Sequence, residues 1–431
     1  MTRTSGPAKS PTSGPGPGPD SAATLAADRQ DERLAAEEGI GGAIKSFRRR
    51  VSVGDLGSLP VVAGLIIIWA IFQIMNPNFL SANNLVNLSL QCAATGTIAI
   101  GVVLVLLVAQ IDLSIGSISG LSAAILGVGI TSAGWPIWFA VIVALAVGVL
   151  IGLIYGLLFT RFGVPTFVIT LAGLLAFLGL QLRVLGPNGS INLPYDSWIV
   201  QFAQGWFLPP WLAIVLAVLA VGGTFSSDWL RARRRRGAGL STGPVSLMVI
   251  KSVALLVILI VVVAYLATDR GIGMMFLLFV LLVVVMNFFL TRTRWGRSVF
   301  AVGGNVEAAR RAGIKVNRIY ISVLMLGTFF AALGGLLASA RLTSASLSSG
   351  GGDTNLVAIA AAVIGGTSLF GGRGSAYSAL LGILVIQSIS NGLTLLNLDS
   401  SIRYMITGAV LLLAVIIDSL SRRSRASHGQ A

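Results

Sequence analysis

Histidine, cysteine and acid are scarce in this 431-residue chain, which has one histidine, one cysteine and fifteen aspartates and glutamates together. The histidine, His428, lies in the C-terminal tail, so the hydrophobic body holds no histidine metal site or catalytic triad. No catalytic residue, metal site or cofactor is therefore expected, and the lack of paired carboxylates argues against a membrane-embedded enzyme. Cys92 alone makes no intrachain disulfide, and within an apolar run it reads as a small packing residue. Charged residues make up only 10% of the chain, too few to cover a soluble protein of this length. A Walker A pattern is absent, so any ATP-driven work needs a separate ATPase.

Apolar residues instead make up 55% of the chain, in long runs without the alternation of a barrel strand. That combination predicts an all-α, polytopic transmembrane helical bundle. Residues 1–26 are Pro-, Gly-, Ser- and Ala-rich and read as disordered; residues 27–50 are charged and end in Arg48–Arg50. The expected organisation is a cytoplasmic tail (1–50), a transmembrane domain (51–420) and a short cytoplasmic tail (421–431). Spans are expected near 60–75, 85–109, 113–131, 136–160, 164–185, 209–225, 247–267, 271–290 and 319–340. Two shorter Gly-rich segments, 357–370 and 375–396, and a final span, 402–417, complete a set of about 10–12 membrane segments.

The net charge of +15 is a matter of orientation, not of nucleic acid. Arg161, Arg231–Arg236, Arg292–Arg318, Arg373 and Arg422–Arg425 all fall on one side, which the positive-inside rule makes cytoplasmic along with both termini. Lys251 and Arg183 lie near span ends and can snorkel, although Arg183 could equally face a polar ligand. Trp69, Trp135, Trp138, Trp198, Trp206 and Trp211 read as interfacial anchors, with sugar-stacking platforms as the sharper alternative.

One basic-side loop is far more elaborate than a connector needs. Residues 291–318 carry seven basic residues and Glu307, the only glutamate after Glu38. Asn305 is a good N-cap, Glu307 complements the positive helix start, Ala308–Ala312 is a strong helix former, and Gly313 fits the exit. A helix of about two turns is predicted there, built to dock a cytoplasmic partner. Gly304, Asn305, Glu307, Ala308, Ala309, Arg310 and Gly313 are the candidate coupling residues, with Ala308 and Ala309 as a smooth face.

Two polar breaks interrupt the apolar pattern, LVAQIDLSIGSISG (107–120) and AAVIGGTSLFGGRGS (361–375). Broken backbone at membrane depth is tolerated only where protein or a wet cavity surrounds it, and small residues let helices approach closely. Each break follows an outside-to-inside segment, so a weak parallel repeat of two halves is plausible. Asp112, the only acid in the first five spans, reads either as a helix cap or as a pathway gate. Asp112, Ser114, Gly116, Gly365, Gly366, Gly371 and Gly372 are the candidate pathway residues.

Four stretches in order carry a family resemblance. They are Asn78-Phe79-Leu80-Ser81-x-x-Asn84, Ile111–Ser117, Gly296–Ile314 and Ala360–Ser375. Together they resemble the monosaccharide ABC-importer permeases, the ribose, xylose and galactose class. The extra pair of spans around Arg231–Arg236 looks most like the xylose branch, whereas Ala109-Gln110 stands where the family usually has Gly-Gly. The resemblance implies a multi-pass plasma (inner) membrane permease that imports a monosaccharide, a pentose such as xylose. It also implies a permease homodimer embedded in lipid, a cytoplasmic ATPase subunit and an extracytoplasmic sugar-binding protein. An ion-coupled secondary sugar transporter is the competing reading, which the near-solitary Asp112 argues against.

Overall fold

The computed structural model describes residues 59–399, apart from 239 and 241–244, and some positions in 401–416. Both predicted tails fall outside the described residues, as does half of the final predicted span. Helices dominate: α1 (Leu59–Met75), α2 (Ala82–Leu107), α3 (Ile115–Thr131), α4 (Ile137–Phe162), α5 (Thr166–Leu185), α6 (Pro210–Gly237), α7 (Val245–Leu266), α8 (Met274–Arg292), α9 (Arg294–Gly304), α10 (Val306–Arg311), α11 (Val316–Leu342), α12 (Gly352–Ile364) and α13 (Ala376–Leu395). Among the described residues, eight helices are long and apolar enough to cross a membrane, and three shorter ones are apolar. The protein is an all-α polytopic bundle.

The helices form two compact units. One comprises residues 215–259 of the described chain, the greater part of α6 and α7. Its helices are largely exposed along their apolar length, as lipid-facing spans should be; Val253, Val257 and Ile258 each expose more than half their surface. Lys251 is exposed there, consistent with snorkelling.

The second unit holds the remaining helices, with α2 and α11 at its centre. Almost every residue of α2 from Ala93 to Leu107 is buried, and α11 packs against α2, α3 and α4. Gly148, Gly152 and Gly156 of α4 bring the α4 and α11 backbones together: a Cβ at Gly156 would lie 2.8 Å from the Ile321 Cα. This is small-xxx-small packing, where dispersion between closely fitted backbones holds helices together in lipid.

The Asn78–Asn84 motif earns its residues locally. Ser81 caps α2 by accepting from the Asn84 amide at 3.3 Å, and Phe79 is fully buried against Phe72. The Asn84 and Asn391 side chains then exchange two hydrogen bonds, 2.8 and 3.0 Å, between α2 and α13. Trp69 is more than an interfacial anchor, since its indole N–H donates to Ser388 Oγ at 2.8 Å and ties α1 to α13. Cys92 is buried, as its apolar setting predicts.

Several features depart from the sequence reading. Helix α6 runs on to Gly237, well past Phe225, into the arginine cluster. The stretch between the fifth and sixth predicted spans carries short strands: β1 (Ser190–Asn192) pairs antiparallel with β4 (Ser344–Ser346), and β2 (Phe207–Leu208) with β3 (Ile272–Gly273). Beside them Gln204 donates to the Ala340 and Arg341 carbonyls at 3.3 and 2.6 Å, satisfying acceptors that the end of α11 leaves open. Arg270, one of the few basic residues outside the basic loops, is held by Asn87 Oδ1 at 2.7 Å and Asp269 at 3.1 Å. Its guanidinium lies 5.3 Å from the centre of the Phe207 ring, and its bond to Asp269 holds that carboxyl below the usual carboxylate range.

Candidate functional site

The two polar breaks and the basic loop meet. Helix α2 ends at Leu107, and its open carbonyl accepts from the Gly372 amide of the second break at 2.9 Å. Gly303, near the end of α9, packs into the same place: a Cβ on it would overlap the Leu107 carbonyl oxygen and lie 2.7 Å from the Gly372 nitrogen. Gly371 and Gly372 have φ of +80° and +71°, a left-handed backbone that glycine adopts without cost. A Cβ at Gly371 would sit 2.7 Å from the Gly303 carbonyl oxygen and 2.8 Å from Ala109 Cβ. Ala109 itself has φ +56°, the left-handed region, at the position where the related pattern carries glycine.

The loop contains two helices, not one. Thr293 caps α9 by accepting from the Gly296 amide at 3.1 Å, and Trp295 Nε1 donates to Ser322 Oγ at 2.8 Å, fastening α9 to α11. Val299 and Val302 are buried. Asn305 then caps α10 as its side chain predicts, accepting from the Ala308 amide at 2.9 Å, and Gly313 follows with φ +79°. Glu307 and Arg310 form an exposed ion pair at 2.8 Å. Ala308 is exposed but Ala309 is only 3% exposed, because it faces the protein's own core. The smooth outer face therefore contains Ala308 and Gly304, and Ala309 is removed from it.

Asp112 does not cap in the manner its sequence position indicates. Helix α3 begins at Ile115, and Asp112 Oδ1 accepts from the Ser114 amide at 2.8 Å and the Ser114 hydroxyl at 2.7 Å. This is an Asx turn just ahead of the helix. Its second oxygen is buried without a hydrogen-bond partner. Tyr155 of α4 donates to Ser114 Oγ at 2.8 Å, and Thr166 Oγ1 bonds Gln110 Oε1.

The residue that closes the first break is Asn355 of α12. Its Nδ2 donates to the Leu113 carbonyl at 2.6 Å, and its Oδ1 accepts from the Gly116 amide. One amide side chain thus supplies what a continuous helix would have supplied on both sides of the gap. Gly116 is needed because a Cβ there would lie 2.9 Å from Asn355 Oδ1. Further along, buried Gln181 of α5 donates to the Ser346 and Ser349 carbonyls at 3.0 and 2.9 Å. Sequence reasoning missed Asn355 and Gln181; for Gln181 the available signal was a lone amide inside an otherwise apolar stretch of helix.

In the second break, Gly365 is pressed against α13, where a Cβ would overlap the Ser378 carbonyl. Gly366 has open space around it and is required for its φ of +104°, not for close packing. Thr367 is buried with its hydroxyl unpartnered. Among the described residues, no group of His, Cys, Asp and Glu is placed to hold a metal.

The comparisons with known proteins agree with this architecture. Residues 84–415 match the family model described as branched-chain amino acid transport system/permease component. The xylose transport system permease protein XylH of Escherichia coli (strain K12) is 38% identical over 346 residues, 80% of this chain and 87% of that protein. XylH of Haemophilus influenzae is 34% identical over 84% of this chain and 96% of its own. The ribose import permease protein RbsC of Bacillus subtilis (strain 168) is 33% identical over 85% and 94%. No solved structure matches. The chain therefore belongs to the monosaccharide ABC-importer permeases, within the wider family of branched-chain amino acid transport system permease components.

Proposed function

We propose that this multi-pass membrane protein is the permease subunit of an ABC importer carrying a monosaccharide, a pentose such as xylose, into the cytoplasm. ATP hydrolysis belongs to a separate subunit, and a sugar-binding protein delivers substrate from the other side. Two permease copies would form one pathway. The observation that carries the coupling part of this reading is the Gly303 junction, where α9 presses on Leu107 of the first break and Gly372 of the second. A push on the loop by a docked ATPase reaches both breaks through backbone contact, without intervening flexible side chains. The sugar reading rests on the xylose and ribose permeases that the chain resembles.

The test is uptake by proteoliposomes containing the permease, its ATPase and its binding protein, with a panel of labelled sugars. Pentose uptake that requires ATP and the binding protein is expected. Uptake driven by an ion gradient without nucleotide would replace this reading with a secondary transporter.

A further inference from the structure

Past the end of α11 the chain turns back into the bundle alongside α3. A Cβ at Gly127 would meet Ala345 Cβ of β4 at 3.2 Å, and one at Gly120 would overlap the Ser349 carbonyl oxygen. At Gly116 it would lie 2.7 Å from the Gly350 carbonyl oxygen, where Asn355 bonds across the first break. Helix α11 gives the depth of this descent. Gly335 packs on Ser119 seven residues short of Leu342, so about 10 Å from the helix end at 1.5 Å per residue. Gly116 and Asn355 lie about one turn deeper, roughly 15 Å in, well inside a hydrocarbon core of about 30 Å.

This descending segment is polar where lipid demands the opposite. Ser346 Oγ lies 2.9 Å from Ser348 Oγ and 3.4 Å from Ser349 Oγ. Ser348 and Asp353 are exposed, and among the described residues no ion pair engages Asp353. The two flank one glycine: a Cβ at Gly351 would sit 3.0 Å from the Ser348 carbonyl oxygen and 3.7 Å from Asp353 Oδ1. A carboxylate and a hydroxyl exposed at this depth face water or a polar solute, because hydrocarbon solvates neither. Behind them the backbone is pinned by Gln181, fully buried, which donates to the Ser346 and Ser349 carbonyls. As a first-turn acid, Asp353 also complements the positive start of α12. That role accounts for neither the exposed serine nor the hydroxyl cluster above it.

Resting on the sugar-importer reading, we propose that Ser348 and Asp353 form a sugar-contact strip on the wall of the pathway. The carboxylate accepts from adjacent hydroxyls of the monosaccharide, a charge-assisted contact, while Ser348, backed by Ser346, donates and accepts.

The test exploits the single cysteine, Cys92, which is buried and gives a silent background. The full-length permease, reconstituted with its ATPase and binding protein, is treated with a charged, water-soluble methanethiosulfonate. S348C is expected to react at least tenfold faster than V257C, which lies on the exposed apolar surface of α7, because the reacting thiolate forms only in water. Modified S348C should lose labelled-xylose uptake. D353N should lower uptake at least tenfold with thermal midpoint and ATPase retention unchanged, and D353E should restore most of it. Normal uptake by D353N would overturn the proposal, and a lowered midpoint beside it would leave Asp353 as a helix-start charge alone. S348C reacting no faster than V257C would also overturn it, showing a face closed by lipid or by a second copy of the chain. That reaction needs no transport, so it separates this inference from the reading beneath it. Fast labelling of S348C in a permease that moves no sugar would sink the sugar-importer reading and leave a water-lined wall for another solute.

Discussion

The Gly372 amide donates to the Leu107 carbonyl at 2.9 Å, and this bond joins the two breaks that interrupt the bundle. Leu107 is the last residue of α2, the most deeply buried of the long helices, so its carbonyl needs a partner from elsewhere. Gly372 supplies it from a backbone turn that costs glycine nothing. Gly303 then fills the space beside both, and the loop helix ends where the breaks begin. Three segments thus meet at this point through backbone contact.

Adding one methyl group at Gly303 should therefore uncouple the machine. Gly303→Ala places its Cβ over the Leu107 carbonyl, which is backbone and cannot swing away. Overpacking of this kind costs about 1–3 kcal/mol, and here it falls on the junction proposed to transmit the ATPase's motion. ATP-dependent uptake is expected to drop at least tenfold, with the permease still inserted and still retaining its ATPase. Uptake near the unmodified level would mean that the junction is loose enough to tolerate the methyl.

Ala109 offers the opposite experiment. Its φ of +56° costs an L-residue about 1–2 kcal/mol relative to glycine, and Ala109→Gly removes that cost. The purified variant should gain about 1 kcal/mol of stability, seen as a higher midpoint in thermal unfolding, with uptake retained. A lower midpoint would show that the Ala109 methyl, 2.8 Å from where a Gly371 Cβ would lie, contributes more by packing than it costs in strain.

The contrast between what the sequence revealed and what it concealed has a physical basis. Span positions were readable because about twenty apolar residues have one stable solution in lipid. Asn305 and Gly313 were readable because capping is local chemistry. Asn355, more than two hundred residues from the break it closes, is a tertiary partner, and no local pattern announces it. Helix α9 was also missed, since RWGRSVFAVGG carries two glycines at its end and another near its start. Its stability comes from burying Val299 and Val302 and from the Trp295–Ser322 bond, all of them long-range. Ala309 was placed on the wrong face because a six-residue helix does not reveal which side is covered.

The first break can be dissected by comparing Asp112 with Asn355. Asp112→Asn keeps an oxygen for both Ser114 donors, so the Asx turn should survive and uptake should stay within about twofold. Asn355→Leu leaves the Leu113 carbonyl and the Gly116 amide unpaired, at about 1–3 kcal/mol each. Its thermal midpoint should fall well below that of Asp112→Asn. A folded Asp112→Asn protein without uptake would make the charge itself a gate.

The docking surface is best tested by two neighbouring alanines that face opposite ways. Ala308 is exposed on α10, beside the exposed Glu307–Arg310 pair, whereas Ala309 is buried against the protein's own core. A tryptophan at Ala308 enlarges only the outer face. It should leave the thermal midpoint unchanged, sharply reduce ATPase co-purification and abolish uptake. A tryptophan at Ala309 must displace core side chains, so it should lower the midpoint, at a cost of about 1–3 kcal/mol or more. The Glu307–Arg310 pair is solvent-exposed and adds little to stability, so Glu307→Ala should affect ATPase retention without moving the midpoint. If Ala308→Trp retains the ATPase and transports normally, α10 is a connector and the contact with the partner lies elsewhere on the basic loop.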